Sequence, residues 1–149
     1  VAIGTSHGAF KFSKPPDGEV LVINRVAEIA KACPGIPLVM HGSSSVPQEL
    51  KERINAHGGK LKPSWGVPIE DIKRAIQMGV AKINVDTDGR LVMTAVIREI
   101  FEAQPELFDP RKYMGPARAA LANLIAEKME AFGQAGRAPA IRELVARQS

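Results

Sequence analysis

The hydrophobic positions of this chain alternate between short apolar runs and longer stretches in which apolar residues recur every three or four positions. The apolar runs predict three strands, at residues 1–4, 36–40 and 80–85. Segments with a helical period lie between them, and alternation of strand with helix is typical of a parallel sheet. The pattern therefore predicts an α/β fold with about three βα units.

The helical stretches carry recognisable boundary signals. An apolar stripe over residues 22–33 predicts a first helix that ends before Pro34. Ser45 and Gln48 match a capping box for a second helix that stops at glycines 58 and 59, and Pro68 is expected to open a third over 68–78. The segment between the second and third helices is predicted to be a loop that Trp65 anchors by packing.

The remaining third of the chain is predicted to be helical. Asp88 is the expected N-cap of a helix over 88–103, with apolar positions from Met93 to Phe101 facing the core. Asp109 is expected to cap a further turn. A longer helix is predicted over 116–132, starting at Pro116. A last helix is predicted over 138–148, which would dock on a partner subunit or stay exposed to solvent.

Composition narrows the class of protein. The 149 residues carry a formal charge of +4, but the basic residues are dispersed and aromatic residues make up only 5%, which argues against nucleic-acid binding and is compatible with phosphorylated small molecules. Apolar runs are too short for a membrane span, no signal segment is visible, and the single Cys33 favours a reducing compartment. We expect a cytoplasmic protein without a membrane or nucleic-acid partner.

Two histidines carry the most informative pattern. His7 and His41 each stand where a predicted strand ends, and each precedes a glycine. Imidazole is a common zinc ligand, but a catalytic zinc usually takes three protein ligands, so the set is incomplete. Because Val1 enters a strand at once, we expect this chain to be a fragment whose missing ligand lies elsewhere. His57, beside glycines at a helix end, is expected to be a surface residue.

Polar loops follow the second and third predicted strands. After His41, Gly42 permits close backbone approach and Ser43 and Ser44 offer hydroxyls for a phosphate, whereas Ser45 caps the next helix. After the third strand, Asn84 and Asp86 should emerge on one side and grip sugar hydroxyls. The amides of residues 86 and 87 at a helix start suit a phosphate. Ligands bind at this carboxyl edge in parallel α/β folds.

Four segments in order, GTSHGAFK, LVMHGSSS, GVAKINVDTD and FDPRKYMGPA, resemble the C-terminal part of class II, metal-dependent fructose-1,6-bisphosphate aldolases. The resemblance covers nearly the whole chain. It implies the last three βα units of a TIM (β/α)8 barrel in residues 1–103 and a C-terminal helical extension in 104–149, together forming a single domain.

The resemblance also implies roles for particular residues. His7 and His41 match two zinc ligands, and a monovalent cation is a possible second ion. Arg111 matches an arginine that reaches into a neighbouring subunit's site, which implies a homodimer or homotetramer. The residues that match the substrate site are Gly8, Lys11, Gly42, Ser43, Ser44, Asn84, Val85, Asp86 and Thr87.

The implied activity is reversible cleavage of fructose 1,6-bisphosphate, with zinc as the Lewis acid that stabilises the enediolate. The proton-transferring base is expected upstream, so no catalytic base is assigned within this chain. Tagatose-bisphosphate aldolases resemble it closely but typically carry alanine and glutamate at positions 86 and 88, and sedoheptulose bisphosphate is a possible second substrate.

Two alternatives come from other classes. Lys82 on the third strand could form a Schiff base, which would make the reaction independent of metal. The isolated chain could also be an inactive partial barrel that binds phosphate or metal weakly.

Overall fold

The computed structural model describes residues 1, 3–5, 12–18 and 20–147 of the chain. Within them the elements follow in the order α1 (Ile23–Ala32), β1 (Leu38–Met40), α2 (Gln48–Ala56), α3 (Ile69–Gln77), β2 (Val80–Ile83), α4 (Thr87–Ala103), α5 (Pro110–Ala131) and α6 (Ala138–Ala146). The predicted α/β class is confirmed. No helix in the described part of the chain is long and apolar enough to cross a membrane.

The two strands form a parallel pair. Met40 lies opposite Ile83, and Leu38 lies opposite Val80, with an irregularity between Leu38 and Val39. Since both strands run in the same direction, the segments that follow them leave the sheet at the same edge. This places the residues after Met40 beside those after Ile83.

The strand predicted at residues 1–4 is not formed in the described residues 1 and 3–5. Gly4 has φ of +107°, and the carbonyl of Ile3 accepts a hydrogen bond from the amide of Val22, so the backbone turns away from the sheet. Val1 nevertheless lies beside β1. Its amino group donates to the carbonyl of Val39, and its carbonyl accepts from the amide of His41 at 3.1 Å.

This bonding to residues on either side of Met40 is the pattern of a parallel neighbour. Because Met40 itself bonds the amide of Asn84 on the β2 side, Val1 lies on the opposite edge of β1.

Two apolar clusters hold the elements together. The first lies between the sheet, α1 and α3, and its most buried members include Val26, Met40, Val67 and Ile72. The second lies between α2 and α4, and Leu121 and Leu124 of α5 pack against it. The loop after β1 therefore joins the two clusters, since Met40 before it belongs to the first and Val46 after it belongs to the second.

Three helix predictions need correction. α2 begins at Gln48 after Pro47, and no capping box forms, because the Ser45 hydroxyl bonds Asp88 instead. α3 begins at Ile69, one position after the predicted start, so Pro68 occupies its N-cap. The buried face of α4 is formed by Leu91, Val92 and Ala95, since α4 packs against both α2 and α5.

The end of α4 and the start of α5 show further differences from the predicted pattern. Phe101 is 41% exposed and meets Tyr113 of α5 edge to face, with ring centroids 4.8 Å apart. Asp109 caps α5 as predicted, accepting from the amide of Arg111. Pro116 does not start a helix, because α5 runs unbroken from Pro110 and tolerates this proline in its interior. α6 has no buried residue.

Gly66 controls how closely two loops approach each other. Val67 donates its amide to the carbonyl of Ser44 at 3.1 Å, which lays the segment before α3 directly on the segment after β1. A Cβ at Gly66 would lie only 2.3 Å from the Ser44 carbonyl oxygen. Only glycine permits this contact, so the sequence choice at position 66 shapes the loop that follows His41.

We therefore predict that Gly66→Ala lowers the free energy of unfolding by about 2 kcal/mol, because the added methyl collides with backbone that has nowhere to move. Urea denaturation followed by circular dichroism measures the change. The matched control is Gly115→Ala, where a Cβ meets nothing within 4 Å and α5 gains a better helix former. Equal stability of the Gly66 variant and the unsubstituted chain would contradict the close approach.

Candidate active site

The candidate site lies at the carboxyl edge of the parallel pair. His41, Gly42, Ser43 and Ser44 follow β1, while Asn84 to Thr87 follow β2 and lead into α4. The amide of Asn84 donates to the carbonyl of Met40 at 3.1 Å, so the ladder continues one residue beyond β2. The two polar loops predicted from the sequence are therefore brought together.

His41 and Asn84 are in direct contact. The Nδ2 atom of Asn84 lies 3.2 Å from Nδ1 of His41, and Lys82 Nζ donates to Asn84 Oδ1 at 2.7 Å. Because an ammonium group only donates, it fixes the carbonyl end of the Asn84 amide toward Lys82 and turns the NH2 end toward His41. The Nδ1 atom of the imidazole is then the acceptor, and in the neutral ring the proton sits on Nε2.

The serines of the first loop turn inward. Gly42 has φ of +67°, a left-handed conformation that suits glycine, and Ser43 and Ser44 after it are buried. Ser43 Oγ donates to the carbonyl of His41 at 3.3 Å, and Ser44 Oγ accepts from the amide of Asp86 at 3.4 Å. The second contact links the two loops through one hydroxyl.

The second loop delivers the start of α4 to the same edge. Asp86 occupies the N-cap position of α4 without a side-chain capping bond, and Thr87 is the first helical residue. The Asp86 carboxylate instead accepts two bonds of 3.0 Å from Arg90 Nε. These bonds to Asp86 raise the pKa of the Arg90 guanidinium. Both side chains of this pair are exposed.

Asp88 was predicted to be the N-cap of α4, but Asp86 occupies that position. Asp88 is fully buried in the first turn of α4, and its carboxylate accepts from the amide of Ser45 at 3.0 Å and from the amide of Val46 at 2.8 Å. Lys128 of α5 completes the cluster, with Nζ 2.9 Å from Asp88 Oδ2 and 2.7 Å from Ser45 Oγ. The sequence offers no signal for this pairing, since Lys128 lies 83 positions from Ser45.

Val46 is strained at the same place. Its φ is +50°, and among the described residues it alone of the non-glycine residues has a positive φ. A β-branched side chain strongly disfavours this conformation, which persists where surrounding contacts impose it. The bond from the Val46 amide to Asp88 and the burial of the Val46 side chain supply those contacts.

Lys51 supports the facing loop. It is buried, donates to the carbonyl and hydroxyl of Ser64 at 2.7 and 3.0 Å, and lies 5.6 Å from the centre of the Trp65 ring. Burial lowers the pKa of this amine. Trp65 is thus a packing residue, as predicted, and its loop carries Gly66 against Ser44.

Of the other predicted residues, one lies in the second loop, one lies apart from the sheet edge and three are outside the described residues. Arg111 is exposed on α5, and in the described part of the chain its side-chain hydrogen bonds all go to Asp109, whose pKa they lower. His7, Gly8 and Lys11 are outside the described residues. Val85 lies in the second loop between Asn84 and Asp86.

His57 belongs to a different cluster. It lies at the end of α2, where Nδ1 contacts Glu102 of α4. Beside it, Arg53 donates to both oxygens of Glu99 at 2.7 and 2.8 Å, and these bonds lower the pKa of that carboxyl. The ion pairs join α2 to α4, which gives His57 a structural setting away from the sheet edge.

The donor chemistry of the site fits a metal in part. His41 offers an imidazole at a strand end, but the described residues contain no group of three His, Cys, Asp or Glu side chains that could hold an ion. A metal on Nδ1 would take the lone pair that Asn84 engages, and a metal on Nε2 would require the ring proton to leave that atom. His41 therefore suits one position in a larger ligand set.

Comparison with known proteins shows the family of this chain. The sequence pattern of the family described as fructose-bisphosphate aldolase class-II matches residues 1–137. This chain belongs to the class-II fructose-bisphosphate aldolase family.

Its relatives include fructose-bisphosphate aldolase 2 of Cereibacter sphaeroides, 53% identical over 142 residues, which are 95% of this chain and 40% of the relative. The fructose-bisphosphate aldolase of Giardia intestinalis is 55% identical over 138 residues, 93% of this chain and 42% of the relative. That of Xanthobacter flavus is 49% identical over 144 residues, 97% of this chain and 41% of the relative.

The chain thus spans about two fifths of the length of the curated relatives it matches, in their C-terminal part.

The Asp88 cluster yields a test of stability. Asp88→Asn should lower the free energy of unfolding by about 3 kcal/mol, because the largely buried Lys128 ammonium loses its counterion and the new NH2 group faces donors. Thermal and urea unfolding measure the loss. Asp86→Asn is the matched control, since its pair with Arg90 is exposed and contributes little. A loss no greater at position 88 than at 86 would refute the buried ion pair.

Proposed function

We propose that this chain is the C-terminal part of a class II aldolase that reversibly cleaves fructose 1,6-bisphosphate to dihydroxyacetone phosphate and glyceraldehyde 3-phosphate. The observation that carries the proposal is the contact between His41 and Asn84 at the carboxyl edge of a parallel strand pair, in a chain of this family. Zinc is the proposed metal, and a monovalent cation is a possible second ion.

The proposed fold is the final three βα units of a (β/α)8 barrel in residues 1–103, followed by a helical extension in 104–149. The parallel pairing of β1 with β2 supports it, as does the strand-like bonding of Val1 to the other edge of β1. Exposed apolar side chains on the extension, including Phe108 at 89% and Ile141 at 56%, support burial against a further part of the protein or a second subunit.

His41 would hold the metal together with His7 and a third ligand from the rest of the protein. The metal, when bound, supplies a Lewis acid for the ketone of the substrate. Asn84 donates to Nδ1 of His41, and Lys82 in turn fixes the Asn84 amide. A metal bound at Nδ1 would displace the Asn84 NH2 group, since both use the same lone pair of the imidazole.

The phosphate would bind between the two loops. Backbone amides after Gly42 and at the start of α4 offer donors, and the helix dipole of α4 favours an anion near Thr87. Ser43 and Ser44 would shape that cradle, with Gly8 and Lys11 completing it from the first unit, while Asn84, Val85 and Asp86 contact the sugar chain. Asp86 would have to leave Arg90. Their ion pair is exposed, so breaking it costs little free energy.

The proton-transferring base is assigned to the part of the protein outside this chain. Arg111 is proposed to reach a neighbouring subunit, exchanging Asp109 for the second phosphate of the substrate, in a homodimer or homotetramer in the cytoplasm. Asp86 and Asp88 favour fructose bisphosphate over tagatose bisphosphate, with sedoheptulose bisphosphate as a possible second substrate.

A histidine pair tests the metal role. The enzyme is completed by joining this chain to the preceding part of the Cereibacter sphaeroides relative; we call this the completed enzyme. His41→Ala should lower kcat/KM by more than about a hundredfold and reduce bound zinc, because a ligand is lost. His57→Ala, the matched control between α2 and α4, should keep both. Activity assays and metal analysis of the dialysed proteins provide the readouts.

Retained zinc and activity in the His41 variant would contradict the assignment. Trapping of a borohydride-reduced substrate adduct on Lys82, with activity that survives chelation, would favour the Schiff-base alternative instead.

The isolated 149-residue chain is expected to show no aldol cleavage, because it lacks the base and at least one ligand. A coupled assay for dihydroxyacetone phosphate, run at high protein concentration with added zinc, tests this. Turnover that copurifies with the chain and disappears in the His41 variant would overturn the proposed division of the site.

A further inference from the structure

We infer that Lys128 is a positioning residue: through Asp88 and Ser45 it holds the strained turn at Val46, and thereby the Gly42–Ser44 segment that would contact phosphate. The inference rests on the proposed function for the identity of the substrate. The coupling of α5 to the loop after β1 stands on the geometry by itself.

The three polar side chains form a closed triangle. Lys128 Nζ donates to Asp88 Oδ2 at 2.9 Å and to Ser45 Oγ at 2.7 Å, while Ser45 Oγ donates to Asp88 Oδ2 at 2.8 Å. The ammonium group of the lysine can only donate. The Ser45 hydroxyl must therefore accept from it and donate its own hydrogen to the carboxylate. Each bond thus fixes the direction of the next.

The cluster is largely shielded from water, which makes it stiff. The Asp88 side chain is fully buried and that of Lys128 is 14% exposed. Bonds between ionised groups are stronger in such an environment than at the surface. Asp88 also keeps two backbone amide donors and a place in the first turn of α4, where the helix dipole favours an anion. Loss of Lys128 should therefore loosen the cluster without expelling the carboxylate.

The strained turn is the element that the cluster controls. Val46 would relax from φ of +50° to a negative value if its amide were released, since a β-branched residue gains by doing so. Ser44 lies two residues earlier, and it accepts from the amide of Val67 through its carbonyl and from the amide of Asp86 through its hydroxyl. Relaxation at Val46 would shift the loop relative to the start of α4, and the phosphate donors come from both.

Lys128 is well placed for this role because it comes from outside the sheet. It projects from α5, which contributes no residue to the sheet-edge loops, and it reaches the loop after β1 over 83 positions of sequence. A displacement of α5 would therefore reach the loop after β1 through Lys128, beside the apolar packing of Leu121 and Leu124 against the cluster that contains Val46. No other described lysine or arginine forms an ion pair with Asp88.

Lys128→Met keeps the length of the side chain and removes its charge, and Lys128→Arg keeps the charge. In the 149-residue chain, Lys128→Met should accelerate amide hydrogen exchange at Ser45 and Val46 about tenfold, leaving α1 unchanged, with rescue by Lys128→Arg. Arg118→Met, at an exposed position on α5, is the matched control and should leave exchange as it is. This readout requires no activity, so it remains decisive if the proposed function fails.

In the completed enzyme, Lys128→Met should raise KM for fructose 1,6-bisphosphate and the inhibition constant of inorganic phosphate about tenfold, with a smaller change in kcat. A purely structural role would reduce the amount of folded enzyme and leave KM unchanged. Unaltered exchange at Val46 overturns the coupling, and faster exchange with unchanged KM and phosphate inhibition overturns the positioning role. If Lys128→Met fails to fold, Lys128→Gln is measured by the same two readouts.

Discussion

The buried carboxylate of Asp88 is the interaction on which the candidate site depends. It binds backbone amides of the loop after β1, lies at the start of the helix after β2, and pairs with a lysine from α5. Removing a carboxylate from water costs several kcal/mol, and four close donors together with the α4 dipole offset that cost. The two loops are consequently held by one group, and neither can move without breaking bonds to it.

The same constraint explains why strain is tolerated beside the site. A positive φ at Val46 costs of order 1–3 kcal/mol and is stable because Asp88 holds its amide. Gly66 adds a second restraint by allowing backbone to lie on the Ser44 carbonyl. The loop that follows His41 is thus restrained from two directions, which suits a segment that must present backbone donors to a ligand without reorganising.

Sequence reasoning worked best where the physical cause is local. Neighbouring residues determine the parallel strands, the helix ends at glycine and proline, and the cap at Asp109. The polar side chains after each strand meet because parallel strands end at the same edge of the sheet. Prediction from the sequence failed where residues distant along the chain determine the local structure. Ser45 and Asp88 each match a helix cap, yet they bond each other because Lys128 and the packing of α5 favour burial. Pro116 matches a helix start, but the Asp109 cap begins α5 earlier.

The central claim is that His41 shares a zinc ion with His7 and with a third ligand outside this chain. A crystal structure of the completed enzyme with zinc and dihydroxyacetone phosphate tests it most directly. The account predicts a His41 nitrogen about 2.0–2.1 Å from zinc and the phosphate between the loops that begin at Gly42 and Asp86. Zinc bound elsewhere with His41 outside its ligand set, or phosphate held away from both loops, would contradict the account.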